Sequence, residues 1–270
     1  MLNPPTVLLS ELRDGVLCLT LNRPKVNAFD SALTRALHVA FQQAEQEAQV
    51  RCVLLSGAGE YFSVGQDLTD FNPDLKDPYR SHLQRTFNPL ILQIRRLEKP
   101  VLAALNGPVS GAALGIALAC DLRIASDRVR FVAGFTSIGL APDSGVSLLL
   151  PVLIGPSRAT EFIVTNTAIG AEQALAWGLV NRVVSADSLA DEAFAWAAQL
   201  AQGPLRAMGL AKRAFNHAVL GNLEQTLDYE AHLQEIAGGS PEHAEGMRAF
   251  LEKRPARFFS PPSDPDQTPR

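Results

Sequence analysis

Apolar positions along the chain alternate between short continuous runs and longer stripes at helical spacing. Val16–Leu21 (VLCLTL) is a run stopped by Asn22-Arg23-Pro24, which predicts a strand. Leu33, Leu37, Ala40, Phe41 and Ala44 then recur at helical spacing, so a helix is predicted from the N-cap Asp30 through Glu47. Residues 52–55 form a short apolar run closed by Ser56-Gly57-Ala58-Gly59, followed by YFSVGQDLTDF, where glycine stands beside polar residues. Prolines and aspartates crowd residues 72–79, predicting a loop, and residues 80–98 read as a helix kinked at Pro89. Further strands are predicted at residues 122–125 and 129–132. Beyond Ser144 the pattern is almost wholly helical: residues 144–150, 157–165, 171–177, 189–201, 205–219, 223–236 and 241–252, with one short strand at 180–184. The last residues, SPPSDPDQTPR, are proline-rich and are expected to be disordered.

One stretch organises the rest. Residues 101–120 carry no charge, long enough to cross a bilayer, and Gly107, Gly111 and Gly115 repeat at the four-residue spacing of close-packed membrane helices. Asn106-Gly107-Pro108 interrupts the run, because Pro108 lacks an N–H and clashes with the preceding turn. The stretch therefore reads as a buried strand, Val101–Leu105, a turn, and a helix of small residues over 110–120. A glycine-rich helix start after a strand and a tight turn is a place where backbone N–H groups face a ligand.

Alternating strands and helices, without the even spacing of a solenoid, predict an α/β fold. The 270 residues suit one large domain, or one domain with an appendage: a core over residues 1–200, a helical region over 201–259 and a tail over 260–270. Hydrophobic content of 47% and charged content of 19% are those of a soluble globular protein. A net charge of −4 gives no reason to expect nucleic acid as a partner, and no membrane is expected. The start MLNPPTVLLSELRDG has neither a basic segment nor a long apolar one, so the expected location is cytoplasmic. Cys18, Cys52 and Cys120 are odd in number and lack CxxC spacing, so buried reduced thiols are expected and no metal site. The five histidines lie far apart in helix-like sequence, form no HxxxH pair, and are assigned to solvated or satisfied positions.

The ordered series LNRPKVNAF, FSVGQDL, NGPVSGAALGIALACDLRIAS, GLAPDSG, EQALAWGLVNRVV and FLEKRP resembles the enoyl-CoA hydratase/isomerase (crotonase) family over about residues 13–259. The resemblance implies a spiral core of repeated β-β-α turns with two roughly perpendicular sheets. It also implies a C-terminal helical trimerisation region, a homotrimer or dimer of trimers, and an acyl-CoA thioester as substrate, with no cofactor beyond the coenzyme A that the substrate carries. Family members stabilise a thioester enolate with two backbone N–H donors, whose places here are Gln66 (SVGQD) and Ala112 (SGAAL). Read without the resemblance, Gly111-Ala112 simply permits tight helix–sheet packing. Arg23 and Lys25 match positions near the coenzyme A phosphates, and Val64, Asp67 and Leu68 match positions bordering adenine and pantetheine. Phe250 and Lys253 match positions that reach a neighbouring subunit's ligand; the basic residues equally fit solvated surface charges. Asp121 reads as a buried structural aspartate.

Hydratases of this family hold water between two glutamates, and their places here are Gly115 and Phe135. Neither transfers a proton. Asp143, in A-P-D-S-G, stands where several of the family's isomerases carry a lone proton-moving aspartate, whereas read alone it is an N-cap or turn aspartate after Pro142. FNPL, GQDL, PDSG followed by LLLP, and EGMRAFLEKRPARF are similar to the branch that isomerises the ring epoxide of phenylacetyl-CoA. The implied activity is thioester isomerisation through Asp143, on that epoxide, on a 3-enoyl-CoA, or both. The alternatives are a hydratase with atypical residues, a dehalogenase or hydrolase using Asp143 as nucleophile, and a non-catalytic acyl-CoA-binding protein. A serine hydrolase built on Ser110 lacks the GxSxG elbow.

Overall fold

The computed structural model describes residues 6–69 and 79–259. The tail 260–270 and most of the predicted loop at 72–79 lie outside the described residues. The chain opens on a hairpin, β1 (Leu8–Arg13) and β2 (Val16–Leu21), turned by Asp14-Gly15, both at positive φ. Asp-Gly is the residue pair a two-residue hairpin demands, and it marks a first strand that the apolar pattern alone does not reveal. Helix α1 (Ser31–Gln46) starts where Asp30 accepts from the Leu33 N–H at 2.8 Å, as the N-cap reading requires. After β3 (Cys52–Gly57) come α2 (Tyr79–Arg85) and α3 (Phe87–Arg96). The helical stretch breaks at Thr86 rather than kinking at Pro89, which lies in the first turn of α3, where its missing N–H is not needed.

The uncharged run folds as strands β4 (Val101–Leu105) and β5 (Val109–Ser110) and helix α4 (Ala112–Ala119), so the expected helix start moves past a second short strand. Among the described residues no helix is long and apolar enough to cross a membrane. Then follow β6 (Leu122–Ser126), β7 (Arg130–Val132), α5 (Val146–Ile154), α6 (Pro156–Thr165), β8 (Ile169–Gly170), α7 (Ala171–Ala176) and β9 (Arg182–Val184). Helices α8 (Leu189–Ala201), α9 (Leu205–Val219), α10 (Leu223–Gly238) and α11 (Pro241–Leu251) complete the described chain.

Six strands form one sheet in the order β1-β2-β3-β4-β6-β9, parallel except for the hairpin. Its period-two side chains divide two cores. Val16, Cys52, Leu54, Leu102, Ala104 and Ile124 face α8, while Leu17, Leu19, Val53, Leu55, Val101, Ala103 and Leu105 join the larger core with α1, α3 and α4. The second sheet, β5-β7-β8, continues through single bridges from Val109 to Ser63 and from Gln66 to Phe29. The crotonase-like α/β architecture is therefore present, with the polar-glycine stretch 63–67 built into the smaller sheet.

The C-terminal helices pack on their own core. Lys212 of α9 is buried and donates to the Ile94 carbonyl and to Asp121, both at 2.8 Å, and Asp121 also pairs with Arg95 at 3.1 Å. Asp121 further accepts from the Val101 N–H, a structural role. Helix α10 lies against α2, α3 and α5, and α11 against residues 136–138. Replacing Lys212 with methionine strands the carbonyl and half of the Asp121 pairing, and is expected to cost about 3 kcal/mol. Denaturant unfolding measures it, and a loss under about 1 kcal/mol counts against this docking role.

Candidate active site

A cavity of about 410 Å³ opens between the two sheets' loops and the C-terminal helices. Its floor and walls include Val64, Gln66, Asp67 and Leu68, Tyr79, His82 and Phe87, Ser110 to Ala112, Phe135 and Ile138, Asp143, and Gln234 and Phe250.

Local chemistry holds two backbone segments at its edge. Buried Asn27 donates to the carbonyls of Ala58 (2.9 Å) and Tyr61 (2.8 Å), and the Ser63 hydroxyl donates to the Asn27 carbonyl at 2.7 Å. This fixes the chain leading to Gly65, whose φ of +89° is a left-handed value that only glycine adopts cheaply. A Cβ there would come 2.8 Å from the Ser110 carbonyl oxygen and 3.0 Å from the Ala112 nitrogen, so the two segments are in direct backbone contact. The bonds from Phe29 N–H to Gly65 O (2.7 Å) and from Asp67 N–H to Phe29 O (2.9 Å) straddle Gln66 and leave its own N–H facing the other way. Gly111 gives its N–H to Ala133, and Ala112 opens α4, where a helix has no internal acceptor. Neither the Gln66 nor the Ala112 N–H has an acceptor among the described residues.

Asp143 is buried at 8% exposure on the same cavity. It is not an N-cap: α5 starts three residues later, at Val146, and the carboxylate turns inward. Its Oδ1 accepts from the Ser144 hydroxyl at 2.7 Å and its Oδ2 from Gln234 Nε2 at 2.6 Å. Burial pushes its carboxyl up to about 6, against the pull of these two donors. One turn earlier on α10, Glu230 accepts from the N–H groups of Gly145 (2.7 Å) and Ser147 (2.8 Å) and from the Ser147 hydroxyl. Burial lifts its carboxyl to about 7, those donors oppose the rise, and the Asp143 charge adds to it. The Tyr79 hydroxyl meets His243 Nε2 at 2.5 Å while His243 Nδ1 lies 2.7 Å from the Ile138 carbonyl; a carbonyl can only accept, so in the neutral ring Tyr79 donates.

Several sequence-predicted residues converge here: Gln66, Ala112, Asp143, Val64, Asp67, Leu68 and Phe250 line one cavity. Phe250 does so in its own chain. Arg23 instead donates to Asp30 (2.9 Å) and pairs with Asp67 (2.6 Å), bracing the loop that carries Gln66. Lys25 and Lys253 are exposed, both at positive φ, and stand outside the lining. Two histidines assigned away from the chemistry lie near it: His82 Nε2 is 3.2 Å from Gln66 Oε1, and His243 is buried behind Tyr79. Glu230 and Gln234 were missed, although the sequence holds a signal: Leu223, Leu227, Glu230, Ala231 and Gln234 share one buried face of α10. Polar residues on an apolar stripe need a buried partner.

Gly115, the place of a hydratase glutamate, packs against the Asp143-Ser144 turn: a Cβ there would lie 2.3 Å from the Ser144 carbonyl oxygen. Phe135, the place of the other, presents an aromatic ring to the cavity.

The sequence matches the Enoyl-CoA hydratase/isomerase family over residues 11–261. The chain belongs to that family. It is 40% identical to the 1,2-epoxyphenylacetyl-CoA isomerase of Escherichia coli K12, over 93% of this chain and 97% of that protein. It is 35% identical to a 4-chlorobenzoyl coenzyme A dehalogenase of an Arthrobacter species, over 90% of each. The fold matches the crystal structure of an enoyl-CoA hydratase from Mycobacterium avium subsp. paratuberculosis with a TM-score of 0.86 and 34% identity, over 95% of this chain and all of that one. It is a CoA-thioester enzyme of the isomerase/hydratase kind, and the site must choose among the chemistries its relatives name.

Two predictions follow from burial. Asp143 binds its proton more tightly folded than unfolded, where a carboxyl titrates near 3.8, so its contribution to stability is fully present below about pH 4 and is lost as pH rises through about 6. D143N is therefore expected to be more stable than the parent above pH 6 by up to about 3 kcal/mol, the two converging in acid. Melting curves across pH test it, and parallel curves would contradict the burial cost. G115E, in turn, is expected to displace the Asp143-Ser144 turn, lowering both melting temperature and activity without creating water addition; hydration of a 2-enoyl-CoA by that variant would refute this.

Proposed function

We propose that the chain is an acyl-CoA isomerase in which Asp143 carries the proton. The observation that supports this best is the buried Asp143 carboxylate on an apolar cavity that also receives two backbone N–H groups without an acceptor among the described residues. In this reading the thioester carbonyl oxygen lies between the N–H groups of Gln66 and Ala112. Fixed dipoles aimed at developing oxyanion charge need no reorganisation during reaction, and one such donor is worth about 2.7–4 kcal/mol. Asp143 takes a proton from the activated carbon, the electron pair enters the thioester enolate, and the same carboxyl group returns the proton further along the conjugated system. One carboxylate suffices, because the reaction has no net proton change.

Phe87, Phe135 and Phe250 on the cavity suit an aromatic acyl group, and the name of the Escherichia coli relative points to the ring epoxide of phenylacetyl-CoA. With that substrate, enolate-type stabilisation assists rearrangement to the seven-membered oxepin. Isomerisation is favoured over hydration by Gly115 and Phe135, neither of which can hold or activate water. Coenzyme A is part of the substrate, and Lys25 and Lys253, both exposed and without an ion pair among the described residues, are the basic groups we assign to its phosphates, with Arg23 bracing Asp67. We read the assembly as a homotrimer or dimer of trimers, supported by apolar side chains that the last helices leave outside, Phe215, Tyr229 and Ile236, each at least 60% exposed.

Incubation with a 3-enoyl-CoA, a 2-enoyl-CoA and the phenylacetyl-CoA ring epoxide, followed by mass spectrometry and NMR, tests the reading. Products of unchanged mass, with a moved double bond or an oxepin ring, are expected; a product heavier by one water from the 2-enoyl-CoA would overturn it. D143N is expected to lose about 10²–10⁴ in kcat while still binding thioester. In the parent, kcat/KM falls on the acid side with a midpoint near 6, as Asp143 becomes protonated.

A further inference from the structure

Two buried carboxylates stand close together beside the cavity, and their hydrogen-bond partners differ in kind. Glu230 is held by two backbone N–H groups and a hydroxyl. A backbone N–H only donates, so this cradle opposes the rise that burial gives the Glu230 carboxyl. Asp143 has no fixed donor among the described residues: its partners are the Ser144 hydroxyl and the Gln234 carboxamide. Each of those groups donates or accepts according to how it is turned.

Gln234 has a second distinguishing feature. It is 1% exposed, and its Oε1 is buried with no partner among the described residues. An unmatched buried acceptor costs about 1–3 kcal/mol, and here the far end of the amide adds nothing that fixes its orientation. With the far end unanchored, Asp143 alone decides which way the amide faces.

We infer that Gln234 takes part in the proton transfer by turning its carboxamide over: Nε2 donates to the ionised Asp143 carboxylate, and Oε1 accepts from the carboxylic acid once the proton has arrived. The inference rests on the reading of Asp143 as proton carrier. The acyl C–H bond breaks, its electron pair passes into the thioester enolate, and an O–H bond forms on the Asp143 carboxyl group. The turned amide accepts from that O–H until the proton is returned to another carbon. Rotation of the Ser144 hydroxyl accommodates the same change at Oδ1. Glu230, one turn before Gln234, accepts from the backbone N–H groups of Gly145 and Ser147 and pins that turn, so the base stays in place while its partners reverse.

Among the described residues, the other titratable groups on or beside the cavity are Glu230 on α10, Tyr79 and His82 on α2, Asp67 paired with Arg23, and His243 on α11 behind Tyr79. The test must separate Asp143 from these. In the 15N-labelled protein, the side-chain NH2 signals of Gln234 are assigned by their loss in Q234M and followed over about pH 4.5 to 8. They are expected to move with the midpoint shown by the Asp143 carboxyl 13C signal, and to stay still in D143N. Gln234 signals that ignore the Asp143 titration overturn the inference. Q234M, of similar length but unable to donate or accept in this way, is expected to lose about tenfold or more in kcat with little change in KM. Its acid limb in kcat/KM should move to higher pH, because a donor to the charged form is gone. Wild-type kcat together with an unmoved limb would also overturn it. Full activity in D143N is a different outcome, and defeats the Asp143 reading itself.

Discussion

Backbone contact between Gly65-Gln66 and Gly111-Ala112 is the constraint on which the rest of the site depends. The contact joins the smaller sheet to the start of α4, and it exists because neither approach leaves room for a side chain at Gly65. Asn27, Ser63 and the Arg23 pairings with Asp30 and Asp67 all hold one side of it. The wholly buried helix α4 holds the other. What emerges is a pair of N–H groups left over by the folding of two elements, neither of which could present them alone.

The cavity sets against those donors a carboxylate that is costly to keep ionised. Asp143 is shielded from water, and two neutral donors only partly offset its desolvation. Glu230 is buried as deeply and lifted by that burial too, yet its partners are backbone N–H groups beside the start of α5, fixed donors that oppose the rise. Two carboxyl groups of one small region thus differ in the kind of partner each has: Glu230 holds the loop through backbone N–H groups, and Asp143, the proposed proton carrier, meets side chains that can turn. Both depend on α10, which the chain returns to the core more than 80 residues after Asp143.

Family membership alone does not choose the reaction, since the relatives carry names of an isomerase, a dehalogenase and a hydratase. In the reading proposed above, the choice lies in what stands at the places matched to the hydratase glutamates. Gly115 is more than a missing acid, for its lack of a side chain lets the Asp143-Ser144 turn sit against α4. The substitution that removes one chemistry creates the space for the residue proposed to perform another.

Much was legible in the residues themselves. Continuous apolar runs marked the central strands, the Asp30 cap and its apolar stripe marked α1, and Asn106-Gly107-Pro108 argued against one membrane helix, because these depend on local sterics and hydrogen bonding. Motif order carried the family, and with it three residues that the fold brings to one cavity, Gln66, Ala112 and Asp143. Asp-Gly at the first hairpin and the polar residues on the α10 stripe were legible too, but only through turn chemistry and buried-polar accounting, and both were passed over. Other features were decided by tertiary structure alone. The inward turn of Asp143, the Gln234 and Glu230 contacts, the pairing of Arg23 with Asp67 and the placing of His82 at Gln66 each join elements whose order along the chain sets no distance between them. A backbone rule acts over a few residues; desolvation and hydrogen-bond pairing act on whatever the fold brings together, and only the packed chain determines that.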